Sequence, residues 1–314
     1  MMTDRPLAVV TGGAGFIGSH LVRALVERGC SVTVLDDLST GHRRNLEGLG
    51  DAVRLVVGDV RDRACVQAAV AGARWVLHHA ATVSVVECLE APERAHAVNV
   101  DGTLTVFLAA RDAAVRRVTF ASSAAVYGDD AAVPNCESAE ARPVSPYGVH
   151  KLAGEQYCRV FTRQWGTPCV PLRYFNVYGE RQDPSGPYAA VISKFVDAIA
   201  AGRAPVVFGD GLQTRDFVHV SDVVRANLAA LELDASLCGE PVNVGTGRAT
   251  SLLELVATLC AVRGVSLEAA HQPARPGDIR HSVANVARAA ELLGFEAGVP
   301  LPDGLAQLVS AGAA

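Results

Sequence analysis

The chain has 314 residues, half of them hydrophobic and 19% charged, which is too apolar for a disordered chain and enough for one large core or two modest ones. Its net charge of −5 excludes a general nucleic-acid binder, which would carry a basic excess, yet leaves room for a small anionic ligand held by helix ends and a few arginines. The eight cysteines (30, 65, 88, 136, 158, 169, 238 and 260) include no Cys-x-x-Cys pair, so no metal centre or disulfide scaffold is expected.

In chain order, Leu7 to Val10 reads as a buried strand running into Thr11-Gly12-Gly13-Ala14-Gly15-Phe16-Ile17-Gly18. A helix follows, with Ile17, Leu21, Leu25 and Val26 on one side and Gly29 as its stop. Pro6 to Val22 superficially mimics a signal peptide, but its four glycines spoil it, and no other run could span a bilayer. A soluble, cytoplasmic chain with no membrane partner is expected. Gly12, Gly15 and Gly18 between strand and helix permit a tight turn, close approach of backbone to a pyrophosphate, and the free N–H groups of a helix start.

The second strand, Ser31 to Leu35, ends on Asp36-Asp37, where a carboxylate can accept hydrogen bonds from ribose hydroxyls. No arginine follows, so a 2′-phosphate would be repelled and NAD is preferred to NADP. Asp36 as a simple turn cap is the plainer alternative. Val53 to Val57 is a third strand, with Asp59 and Val60 placed to flank an adenine. Val76 to His79 ends a fourth, before the small Ala80 and Ala81; His78 and His79 read as satisfied strand-end residues rather than metal ligands. Asn99 to Ala114 reads as one helix with an apolar face.

Val118 to Ala121 leads to Ser122 and Ser123, and Tyr147 and Lys151 follow at a spacing that puts both on one helix face. A phenol beside an ammonium, with a hydroxyl nearby, suits proton removal from an alcohol as hydride leaves the same carbon. Tyr-x-x-x-Lys alone is common by chance, and the serines alone could be caps; the preceding dinucleotide signals give the trio its meaning. Alternating strands and helices imply a doubly wound parallel α/β sheet (Rossmann) over residues 1–175, with a smaller substrate-binding lobe over 176–314 and a strand near 242–246 returning to the main sheet.

Together, the glycine motif, Asp36, Asp59-Val60, Asn99, Ser-Ser-Ala-Ala-Val-Tyr-Gly, Tyr-x-x-x-Lys, Arg-Tyr-Phe-Asn-Val-Tyr-Gly and Arg-Pro-Gly-Asp resemble the extended short-chain dehydrogenase/reductase superfamily, and within it the NAD-dependent UDP-hexose 4-epimerases. The resemblance implies NAD held at Gly12, Gly15, Phe16, Ile17 and Gly18, then at Asp36, Asp37, Ser39 and Gly41, with Asp59 and Val60 at the adenine. His79, Ala80, Ala81, Asn99, Ser122, Tyr147, Lys151 and Tyr174 would complete that site. It implies catalysis by Ser123, Tyr147 and Lys151: the phenolate removes the 4-hydroxyl proton, C4 hydride passes to NAD, and the 4-keto sugar turns over before hydride returns. Lys151 is expected to lower the Tyr147 pKa.

By position-matching, the UDP-sugar falls to Ser84, Ser123, Ala124, Tyr147, Asn176, Ala190, Val191, Phe208, Arg215, Arg275 and Asp278. In the related dehydratases and decarboxylases an acidic residue follows the catalytic hydroxyl. Ala124 and Ala125 here favour epimerisation. The family's sugar gate corresponds to Ser282, whose small size would admit N-acetylhexosamines beside plain hexoses. UDP-glucuronate 4-epimerisation is the nearest rival, with backbone N–H groups or Arg181 as candidate carboxylate donors; another nucleotide-sugar dehydratase or reductase comes next, and a dinucleotide-sensing regulator is the rival from another class. A homodimer through Asn99–Ala114 and Tyr147–Arg163 is expected by analogy.

Overall fold

The computed structural model describes residues 5–129, 132–183, 191–274 and 279–311. In chain order the first half runs β1 (Leu7–Thr11), α1 (Phe16–Glu27), β2 (Ser31–Asp36), β3 (Val53–Val57), α2 (Arg63–Val70), β4 (Trp75–His78), α3 (Val85–Glu90), α4 (Pro92–His96), α5 (Thr103–Asp112), β5 (Arg117–Ser123), α6 (Pro146–Trp165) and β6 (Cys169–Tyr174). The second half runs β7 (Asn176–Tyr178), α7 (Val191–Ala200), β8 (Val206–Phe208), β9 (Thr214–Arg215), β10 (Phe217–His219), α8 (Val220–Glu232), β11 (Val242–Val244), β12 (Thr250–Ser251), α9 (Leu252–Arg263), β13 (Ala270–Gln272), β14 (His281–Ser282), α10 (Ala287–Leu293) and α11 (Leu301–Ala311).

Among the described residues the main sheet has seven parallel strands in the order β11-β6-β5-β4-β1-β2-β3, the doubly wound arrangement expected. Its strands are near-continuous apolar runs because both faces are covered. Val66, Val70, Phe107 and Phe161 pack one face. Leu21 and Leu25 of α1 pack the other, together with Val224 and Leu231 of α8. The chain order reverses between β1 and β4, and a cleft outside the carboxyl ends of strands at such a reversal is where this architecture takes ligands.

The second half builds its own core from Ile192, Phe195, Leu255, Leu259 and Leu305. It is tied to the sheet by Asp216, a buried carboxylate that accepts from the Thr246 and Gly247 amides at 2.8 and 2.9 Å and from the Ala284 amide at 3.1 Å. With the Thr246 hydroxyl, which donates at 2.6 Å, four donors offset the cost of burying that charge.

The stretch read as one helix from Asn99 instead opens with a π-helical turn, Ala97–Gly102. Asn99 explains it. Its side-chain amide donates to the Thr82 carbonyl at 2.9 Å and accepts from the Thr82 amide at 2.8 Å, which pins the loop after β4 to this turn. No helix of the described residues is long and apolar enough to cross a membrane, and none of the cysteines is in a disulfide.

Candidate active site

The carboxyl ends of the sheet carry the residues singled out by sequence. Thr11 lies opposite His78 and Leu35, and Ser123 opposite Tyr174, so β1, β2, β4, β5 and β6 end along one rim. At the Gly12–Gly18 turn, a Cβ added to Gly18 would lie 2.1 Å from the Gly12 carbonyl oxygen, so the helix start can close on the turn only with glycine there. The first amides of α1 have no side-chain cap, which leaves N–H donors and the positive end of the helix dipole facing the rim.

Asp36 sits at the tip of β2 and is 6% exposed. Its Oδ2 accepts from the Ala14 amide and its Oδ1 from the Leu38 amide, each at 2.9 Å, so it both braces the glycine turn and caps its own loop. Burial raises its pKa against those two hydrogen bonds. Each oxygen keeps a further lone pair for a ribose hydroxyl. Gly41 packs so near that an added Cβ would lie 2.7 Å from Asp36 Oδ1. Asp37 and Ser39 form an exposed turn in which the Ser39 hydroxyl donates to Asp37 Oδ1 at 2.6 Å. Asp59 is held by Arg61, which keeps its carboxyl below the usual range, while Val60 is buried in the core.

His78 is satisfied, as its strand-end position suggests. The Thr103 hydroxyl donates to the Asn99 carbonyl at 2.6 Å and must therefore accept from His78 Nε2 at 2.9 Å. Nδ1 then accepts from the Thr11 hydroxyl at 2.7 Å. The imidazole is fixed neutral, and burial lowers its pKa well below the ordinary value. His79 differs from the sequence reading: its Nε2 is buried with no partner, its ring stacks on Tyr174 at 6.0 Å, and burial lowers its pKa to about 3. The Tyr174 hydroxyl accepts from Asn227 at 2.8 Å.

Tyr147 and Lys151 are carried by α6, and Ser123 ends β5. Ser145 caps α6, accepting from the Gly148 amide at 3.2 Å, and Pro146 occupies its first position. An added Cβ at Gly148 would lie 2.6 Å from the Ala125 carbonyl, so glycine beside Tyr147 lets the first turn of α6 press onto the turn that carries Ser123. Ser123 Oγ accepts from the Ala125 amide at 3.1 Å and is a hydrogen-bonding neighbour of Tyr147. Burial pushes the Tyr147 phenol up to about 12, with Ser123 pulling it back and Cys88 adding to the rise. Lys151 is buried too, and burial lowers its pKa to about 8. Among the chain's own groups it is the Ser123 hydroxyl, and not Lys151, that opposes the desolvation of the phenol.

Ser122 is buried. Its hydroxyl donates to Glu155 Oε1 at 2.5 Å, and Glu155 takes a bidentate pair from Arg173 at 2.8 and 2.7 Å. Arg173 lies 4.7 Å over the Tyr127 ring, whose hydroxyl donates to Asn243 Oδ1 at 2.6 Å. Sequence reasoning missed this buried network and also Cys88, which lies within electrostatic reach of both Tyr147 and Lys151. The only sequence signal was a glutamate one turn after Lys151.

Several predicted substrate residues gather at the edge of the second half. The Asn176 amide donates to the Asp216 carbonyl at 2.9 Å, next to Arg215, and Ser282 pairs in register with Arg215. The Phe208 carbonyl accepts from Gln213 at 2.8 Å, one residue before β9. Ala124 follows Ser123 in the same turn, and Val191 opens α7. Ser84 caps α3, accepting from the Glu87 amide at 3.1 Å. Ala190, Arg275 and Asp278 lie outside the described residues. No cluster of His, Cys, Asp or Glu suited to a metal occurs among the described residues.

The glycine turn, the acid closing β2 and the residues Ser123, Tyr147 and Lys151 lie along one rim, and residues 8–245 match the profile of the NAD dependent epimerase/dehydratase family. This chain belongs to that family. A UDP-glucose 4-epimerase of Mycolicibacterium smegmatis is 40% identical over 305 residues, covering 96% of each chain. Among solved structures, the UDP-glucose 4-epimerase of Thermotoga maritima with UDP-glucose has a TM-score of 0.93 at 37% identity, and the UDP-N-acetylglucosamine 4-epimerase of Methanobrevibacter ruminantium M1 with UDP-N-acetylmuramic acid has a TM-score of 0.93 at 35% identity. Both alignments cover 98% of each chain. The uncapped helix start, the glycine turn, Asp36 and the unpartnered His79 Nε2 fit the dinucleotide of this NAD-dependent family.

Proposed function

We propose that the chain catalyses reversible C4 epimerisation of UDP-hexoses, interconverting UDP-glucose and UDP-galactose and accepting the UDP-N-acetylhexosamines. The observation that carries this reading is the trio itself: Tyr147 beside Ser123 over the rim, followed by Ala124 and Ala125, with no acid to drive elimination. Bound NAD would accept a hydride from C4 and return it to the opposite face. Tyr147 takes the 4-hydroxyl proton and gives it back. Ser123 Oγ holds the same oxygen, and Lys151 supplies positive charge below the phenol and toward the cofactor's ribose. Tyr147 lies in the first turn of α6, where the dipole also favours a phenolate. Because the protein's own groups leave the phenol high, the cofactor's positive ring is assigned the larger share of its acidification.

The dinucleotide is assigned to residues 1–175 and the uridine diphosphate to 176–314, with Asn176, Val191, Phe208 and Arg215 at its grip. Arg275 and Asp278 keep their expected roles there. A firm grip on the diphosphate beside a loosely held sugar allows the keto sugar to present either face. The small side chain of Ser282, in register with Arg215, is assigned as the gate that admits an N-acetyl group. A uronic acid is disfavoured, since Arg181 is already engaged by Ser19 and His20. We further assign a cytoplasmic homodimer through α5 and α6; along α6, Val149, Val160 and Trp165 are exposed. Incubation with UDP-glucose, UDP-N-acetylglucosamine and UDP-glucuronate, followed by NMR of C4 configuration, tests the reading. Inversion of the first two supports it. Inversion of the uronate alone would replace it with the rival.

A further inference from the structure

Arg181 adopts a left-handed backbone conformation, φ 67°, which costs energy in any residue with a side chain. The conformation aims its guanidinium at α1. Nη1 donates to Ser19 Oγ at 3.0 Å and Nη2 to His20 Nδ1 at 3.2 Å. The other nitrogen of that imidazole, Nε2, donates to the Glu180 carbonyl at 2.9 Å. The ring of contacts closes only with neutral His20, because a proton on Nδ1 would face the guanidinium donor. Burial accordingly lowers the His20 pKa to about 4, with Arg181 contributing. Ser19 in turn donates to the Phe16 carbonyl at 3.0 Å, within the first turn of the dinucleotide helix.

The contacts continue into the second half of the chain. Gln182, the next residue, accepts from the Ser193 hydroxyl of α7 at 3.3 Å and donates to the Val177 carbonyl at 3.2 Å. Ser193 lies in the first turn of α7, beside Val191. Two sets of side-chain contacts, joined through the Arg181–Gln182 peptide, thus link the start of α1 to the start of α7, and none of them belongs to the Ser-Tyr-Lys trio.

We propose that Arg181 is a positioning residue that latches α1 to α7, so that a uridine nucleotide bound in the second half strengthens dinucleotide binding in the first. The proposal rests on the assignment of these two sites under the reading above. If one ligand sets the start of α7, the latch sets the start of α1, and the two affinities become linked reciprocally. A contiguous network is a route for coupling and not a measure of it, so the coupling itself is the quantity to read.

NAD affinity of the purified full chain, stripped of nucleotide, is measured by calorimetry with and without saturating UDP. In the wild-type protein UDP should tighten NAD by roughly 5-fold or more. Arg181→Gly removes the guanidinium while suiting the left-handed backbone, so the variant should fold. In it the two NAD affinities should agree within about 2-fold. His20→Leu, which removes the imidazole and keeps Arg181, is the second variant and should weaken coupling in the same direction. Wild-type protein without coupling, or Arg181→Gly with wild-type coupling, overturns the latch. The readout needs no turnover: coupling lost in both variants supports the latch even if no sugar is inverted, and normal epimerisation does not rescue it if coupling persists.

Discussion

The Lys151 ammonium lies 5.6 Å from the centroid of the Tyr147 ring and 5.2 Å from that of Phe120, in a site where burial lowers its own pKa to about 8. The lysine is thus placed for charge, at a cost in stability. The ordinary value of 10.5 describes the unfolded chain, so unfolded protein binds the extra proton between about 8 and 10.5 and wild-type stability rises with pH across that window. Lys151→Met should therefore be more stable than wild type by about 1–3 kcal/mol at neutral pH while losing turnover. The stability difference should shrink as pH climbs from 8 to 10.5. Denaturant unfolding at several pH values checks this, and a destabilised variant at pH 7 would show that the ammonium is held by more than its neighbouring rings.

Tyr147→Phe should keep fold and dinucleotide binding but reduce kcat by roughly 10²–10⁴-fold. Ser123 is the group that pulls the phenol down from its buried value, so Ser123→Ala should raise the Tyr147 pKa further. The acidic limb of the kcat profile should then move to higher pH. Steady-state kinetics across pH reads both effects, and near-normal kcat in Tyr147→Phe removes the phenol from its role.

Behind the trio, Glu155 and Arg173 form an ion pair whose side chains are only 3% and 4% exposed. Glu155→Ala leaves a buried guanidinium unpaired and should cost about 3–5 kcal/mol. Replacing both residues with methionine should recover most of that loss, because no uncompensated charge remains. The double variant still lacks the acceptor for Ser122, next to the Ser123 hydroxyl proposed to hold the substrate oxygen, so kcat should fall more than KM changes. Unfolding midpoints with steady-state kinetics separate the two roles, and unchanged kcat in the double variant would make the pair purely structural.

That network also marks where sequence stops being informative. The glycine turn, Asp36 and the Tyr147–Lys151 spacing are legible because each depends on a short pattern: a turn between strand and helix, a strand end, one helix face. Tyr127 and Asn243 are 116 residues apart, and no local pattern announces that their side chains meet. The π-helical turn at Ala97–Gly102 is hidden for the same reason, since Asn99 is bonded to a loop 17 residues earlier. Protonation is hidden differently. A sequence shows that an ammonium will neighbour a phenol, but only packing shows that Lys151 is buried and Tyr147 half-buried, so that desolvation sets the sign of the Tyr147 shift.

Specificity should turn on Ser282. It is 9% exposed, paired in register with Arg215, and flanked by the buried Val283 and Ala284. A tyrosine at this buried position would have to displace packed neighbours or fill space toward the site where the sugar's C2 substituent is assigned. Overfilling such a space costs typically 1–3 kcal/mol, and 1.4 kcal/mol is a tenfold change in rate or affinity. Ser282→Tyr should therefore lower kcat/KM for UDP-N-acetylglucosamine by about tenfold or more relative to UDP-glucose. Competition between the two sugars in one reaction gives that ratio directly and cancels any general loss of folded enzyme. An unchanged ratio would mean that the C2 substituent lies elsewhere and that residue 282 shapes only the strand pair it belongs to.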